Sequence, residues 1–347
     1  MNVEPTLGGY KAVSRLYNAL MTGLVLTLVT RRGEADAARF VFGHFRRQHL
    51  EKFLPGLKKL GLDGLPDAVA CAQYHYFSNA LGGVKTEFMP ESDRKAWVRY
   101  PPPRWIWQGA AICAVPRRVN EAMLHGWHGH NGVSLGNPRL GFVCTGQTVE
   151  GDPGLEGYYL DYGREIAEHE RVRFAPEERA PDFDAARAPA LDAASWPEAR
   201  LRKVERAYAM EYVRSLVPTL FAQLGEADAS ALLARTARLI GMQFYDETAA
   251  LAGGETVGAG AFGAGAFARY LASMAAAQGE TVEVEDEGAA ASVRQSGWKL
   301  MEGVTVAEPG FSGWNALWEG ALSVHDRHLV LSAARDASGI AWRIGPA

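Results

Sequence analysis

Three imidazoles fall within six residues in His125-Gly-Trp-His128-Gly-His130-Asn131, in a chain of 347 residues with nine histidines. His125 and His128 are three apart, so on the last turn of a helix they share a face. His130 follows on a stretch loosened by Gly129. Three nitrogen ligands with one open position are what a catalytic zinc site requires. His125, His128 and His130 are therefore candidate ligands for a divalent metal, zinc or manganese. His128 and His130 are also candidates for proton transfer, because imidazole titrates near neutrality. The pattern lacks the H-E-x-x-H spacing that places a helical base beside the metal. A plainer account competes with it: a helix C-terminus favours a cationic histidine, and a buried one can satisfy a carbonyl.

Other segments supply possible partners. Gln73-Tyr-His75-Tyr76-Phe-Ser-Asn79 places His75 and Tyr76 on a helix, as a proton donor or as a buried aromatic face. Among the carboxylates, Glu156 in EGYYLDY is the candidate general base, on the same strand face as Tyr158, although a surface hairpin would look the same. Arg94, Trp97, Arg99, Tyr100, Arg104, Trp105 and Trp107 form an aromatic–arginine patch. Guanidinium forks beside flat rings suit a planar, carboxylate-bearing substrate, and they also pack on each other without one. Arg104, Trp107, Asn131, Arg139 and Tyr158, with Tyr76, are the candidate substrate contacts. The formal G-x-G-x-x-G of Gly258, Gly260 and Gly263 follows a helix and a polar turn. A dinucleotide fingerprint follows a strand, so no nucleotide cofactor is expected. No G-x-S-x-G elbow occurs.

Composition narrows the class. A net charge of −4 and the lack of a long basic run disfavour nucleic acid. Three scattered cysteines with no C-x-x-C point to buried reduced thiols and a cytoplasmic setting. Leu16–Val29 is apolar but shorter than the roughly 20 residues of a bilayer span, and has neither a basic start nor a cleavage site. It reads as a buried or oligomer-forming helix, with no membrane partner.

These residues must be positioned by an α+β fold with elements in blocks. Apolar spacing predicts helices over Glu34–Leu60 and Leu65–Leu81, the second closed by Gly82–Gly83. Alternation predicts strands at Val84–Pro90, Lys95–Tyr100, Arg139–Thr145 and Glu156–Tyr162, with a helix from Val115 to about His125. Residues 1–164 form a helical and strand-rich domain holding the candidate site. Residues 165–194 read as a linker or wrap-around segment, and 195–347 as a helix-rich α/β small-molecule-binding domain. Ser195 caps its first helix, followed by helices at Ala227–Leu251 and Ala264–Ala277. Strands at Val282–Glu285, Ala290–Arg294, Leu329–Ala334 and Ile340–Ile344 accompany a helix near Trp314–His325.

From Ala227 to Ile344 the segments ARLIGMQFYDETAALAGG, FARYLASMAAAQGETVEVEDEGAAASVRQSGWKL and GIAWRI resemble the L-2-amino-thiazoline-4-carboxylic acid hydrolase-like group. More distantly they resemble 4-vinyl-reductase-type small-molecule domains. Those families carry cysteines in this region, whereas this chain has none after Cys144. The resemblance implies a pocket for a small cyclic ligand and ring-opening C–N hydrolysis. Taken together, the expectation is a small-molecule hydrolase or lyase acting on a cyclic amide, an amidine or a carboxylated ring. His75, His128, His130 and Glu156 would carry the chemistry, and Arg104 or Arg139 would hold a carboxylate. The alternative is a non-catalytic small-molecule sensor.

Overall fold

The computed structural model describes residues 3–102, 109–191, 194, 196–253 and 262–347. Contacts divide the chain into two units. One is Leu28–Pro197; the other joins Met1–Thr27 to Glu198–Ala347. Helices and strands are grouped in blocks, and the fold is α+β.

The chain opens with α1 (Leu7–Arg32), which runs well beyond its most apolar stretch at both ends. By length and composition α1 could cross a bilayer, and most of its apolar window is buried inside the fold. Gly33, at φ 89°, turns the chain into α2 (Glu34–Lys59). Pro66 precedes α3 (Asp67–Leu81), where its missing N–H removes no helical bond, and Gly82 and Gly83 close it.

In the unit Leu28–Pro197, β1 (Glu87–Ser92), β2 (Lys95–Tyr100), β3 (Leu140–Gly146), β4 (Leu155–Asp161) and β5 (Val172–Phe174) form one sheet. Its order is β1-β2-β4-β3-β5, antiparallel except for the parallel pair β3 and β5. Between β2 and β3 lie α4 (Arg117–Gly126) and the short α5 (Asn131–Leu135). Side chains alternate across a strand, so each strand serves two layers. Tyr100, Phe142 and Tyr159 face histidines from α3 and from the turn between α4 and α5. Trp97, Val143 and Tyr158 face the opposite layer, packed with Met89 and Ala175.

The polar segment after β4 lacks periodicity, yet it lies along the sheet. Backbone bonds join Phe142 N to Arg171 O and Ala175 N to Cys144 O, at 2.9 Å each. The three-residue β5 is too short to show a pattern in the sequence. Its pairing comes from register with β3.

The other unit contains α6 (Glu198–Leu224), α7 (Glu226–Gly253), α8 (Ala264–Gln278) and α9 (Glu308–His325). Four antiparallel strands, β6 (Val282–Asp286), β7 (Ala291–Ser296), β8 (Leu329–Asp336) and β9 (Gly339–Pro346), pair in the order β6-β7-β9-β8. α8 is buried along nearly its whole length, which its alanines permit. α7 and α9 meet at their backbones. A Cβ on Gly241 would lie 1.9 Å from Leu317 O, and one on Gly320 would lie 2.1 Å from Arg238 O. α9 begins at Glu308, ahead of the expected Trp314, because Pro309 fits the first turn. Trp314, Trp318 and Trp342 fill the core, and Trp342 Nε1 donates to Asn315 Oδ1 at 2.8 Å.

Candidate functional site

A group of buried polar side chains lies between α3, the α4–α5 turn and the sheet. His75 comes from α3, Tyr100 from the end of β2, His128 and Asn131 from the turn, and Tyr159 from β4. All five are buried. Gly129 lets the turn sit this close: a Cβ there would be 2.7 Å from Val172 Cγ2.

A directed hydrogen-bond chain runs through this group. Asn131 Nδ2 donates to the Tyr159 hydroxyl at 3.0 Å, and Tyr159 Oη lies 2.7 Å from His128 Nδ1. An amide nitrogen only donates, so the hydroxyl accepts from Asn131 and its own proton is left to bond His128 Nδ1. Burial holds the Tyr159 phenol well above its ordinary pKa, so it keeps that proton. A Tyr159 hydroxyl that donates to Nδ1 leaves the His128 ring proton on Nε2. The His75 ring stacks on His128 with centroids 4.2 Å apart and planes at 10°. Tyr100 meets both rings edge-on at 6.4 Å, and Phe142 lies 4.4 Å from His128.

A second imidazole pair adjoins it through Trp127, whose ring lies 6.0 Å from His75 and 5.4 Å from His49. His49 Nε2 lies 2.8 Å from Ser134 Oγ, and its ring is 5.2 Å from His130. Burial pushes the His49 pKa down to about 3, with the neighbouring His130 adding to the effect. His130 is also lowered, by burial and then by Arg46 and Arg171.

Placed individually, the expected site residues separate. His75, His128 and Asn131 come together. His130 turns instead to His49, and its Nδ1 has no hydrogen-bond partner among the described residues. His125 is exposed at the end of α4, with Phe174 as a ring neighbour at 6.3 Å. Among the described residues no group of three or more His, Cys, Asp or Glu is arranged to hold a metal ion. The physical reason is the turn: its tight path after Gly126 sends the three rings to different neighbours.

Glu156 is on the far side of the sheet from the histidines. It accepts from Thr145 Oγ1 and from Ala180 N, at 2.9 Å each, and pairs with Arg99 at 3.5 Å. These bonds make it an anchor for the segment after β5. Tyr158 shares that face and donates to Glu178 Oε1 at 3.1 Å. Arg139 pairs with Asp161 at 3.0 Å, so its fork already holds a carboxylate. Tyr76 packs against Phe77 and Phe88. Arg104, Trp105, Trp107, Ser195, Gly258 and Gly260 lie outside the described residues.

Tyr159, His49 and Ser134 are not among the residues expected here, and Tyr100 is expected only in the aromatic–arginine patch. In EGYYLDY both strand faces carry a tyrosine, and the burial that selects Tyr159 comes from helices remote in sequence. No protein-family model matches the chain, and no curated protein or solved structure matches it significantly.

Proposed function

We propose that the unit Leu28–Pro197 is an acid–base enzyme module of small-molecule metabolism, of hydrolase or lyase type, with His75 and His128 as its proton-transfer pair. The observation that carries this reading is the Asn131–Tyr159–His128 hydrogen-bond chain ending against the His75 stack. Burying several polar rings lowers stability unless every one is satisfied, and such clusters concentrate where chemistry is done. In this reading His128 donates through Nε2–H to a leaving nitrogen or oxygen. His75 takes a proton from the attacking water or from a carbon acid and passes it to that leaving atom, while His128 stays neutral as a hydrogen-bond donor. Tyr159 and Asn131 touch no substrate; they hold the tautomer and the ring plane.

Cyclic amides, amidines and carboxylated rings are the substrate classes to test, because opening such a ring needs one proton added and one removed. Turnover of this panel by the parent protein, lost in His128→Gln with the fold retained, is the expected result. A folded His128→Gln variant with full turnover would overturn the assignment.

A further inference from the structure

On the sheet face opposite the histidines, a groove of about 630 Å³ is lined by Pro90, Glu91, Lys95, Trp97, Glu178, Arg179 and Pro181. At its floor the Lys95 ammonium lies over two rings, 4.8 Å from the Trp97 centroid and 4.4 Å from that of Tyr158. The same ammonium is 3.1 Å from Glu91 Oε2, which also accepts from Trp97 Nε1 at 2.8 Å. Glu178 accepts from the Tyr158 hydroxyl. Two π-faces and the Glu91 carboxylate thus converge on one cation, and the Glu178 carboxylate sits on the hydroxyl of one of those rings. The second cation of the groove, Arg179, donates to the carbonyls of Thr145, Pro176 and Glu178. Once Lys95 swings away, what remains is the rings, two carboxylates and Arg179, whose Nη1 is turned to backbone carbonyls.

We propose that this groove is a binding site for a small organic alkylammonium, and that Lys95 is a tethered competitor seated in its cage. The chemistry is cation–π attraction reinforced by carboxylates, the arrangement that recognises methylated ammonium groups. A side chain on a strand reaches its neighbours at high effective concentration, so the parent protein binds such ligands weakly and releases Lys95 as it does so. The site lies on the other face of the sheet from His75 and His128, and does not depend on the catalytic reading.

The probe is choline, compared with its neutral carbon isostere dimethylbutanol, followed by the NMR signal of the Trp97 indole N–H. Choline should shift that signal in the parent, and dimethylbutanol should not. Lys95→Ala removes the competitor and should tighten choline binding roughly two- to fivefold, the value of one exposed cation–π contact. Glu91→Gln keeps an acceptor for the indole but loses the charge, and should weaken binding. Equal shifts from both probes, no shift even in Lys95→Ala, or unchanged binding in Glu91→Gln would each overturn the proposal.

Discussion

Acid should loosen α2 before most other elements, because two of its histidines are buried in the neutral form. His44 and His49 are almost fully covered, and burial pushes each pKa down to about 3. Arg47 adds to the effect at His44, and His130 at His49. The ordinary value is 6.5, so the unfolded chain takes up these protons first. The stabilisation is therefore complete above about pH 6.5 and is lost as pH falls toward 3. Each histidine contributes a slope of about 1.4 kcal/mol per pH unit in that window. Between pH 7 and pH 5 the loss is about 2 kcal/mol per histidine and about 4 kcal/mol for the pair, a large part of an ordinary domain's stability. Amide hydrogen exchange of α2, corrected for intrinsic rates, reads this free energy locally. In His44→Leu the slope should fall by about half, from about 2.7 to about 1.4 kcal/mol per pH unit. An acid slope identical in the parent and in His44→Leu would refute the reasoning.

Further outcomes follow from the same geometry. Tyr159→Phe leaves Asn131 Nδ2 and His128 Nδ1 without the shared hydroxyl, and should lower stability by about 2–4 kcal/mol in denaturant titration. Nitrogen-15 NMR of His128 should show the Nε2–H tautomer in the parent and a tautomer mixture in that variant. Glu156→Ala frees Ala180 N and Thr145 and should speed proteolysis of the segment after β5 without changing the His75–His128 stack. Gly241→Ala forces α7 and α9 apart and should cost more than about 2 kcal/mol, measured by thermal melting. His125→Ala, at an exposed position away from the stack, should leave any turnover unchanged.

Much of the architecture was legible in the sequence, because periodicity reports one face of each element. Glu34–Leu60 corresponds to α2 and Lys95–Tyr100 to β2, where apolar spacing is clean and Pro or Gly punctuates the ends. The candidate site was legible only in part. His75 and His128 stood out by residue type, and the structure brings them into stacking contact. Their partner Tyr159 was hidden beside Tyr158, since a strand buried on both faces shows no alternation to choose between them. Glu156 looked like a free base because a sequence does not show the Thr145 hydroxyl and Ala180 amide that engage it. The three clustered histidines looked like a ligand set because spacing along a chain says little about direction once a helix breaks into a turn.

The most direct test of the central claim is a double-mutant cycle in turnover. The rates to compare, on whichever cyclic amide, amidine or carboxylated ring the parent opens, are those of the parent, His128→Gln, Tyr159→Phe and the double variant. If Tyr159 acts only by orienting His128, the double variant should be no slower than His128→Gln alone, itself down by about 10²-fold or more. Losses that multiply, a folded His128→Gln that keeps its rate, or a parent that opens none of these rings would contradict the account.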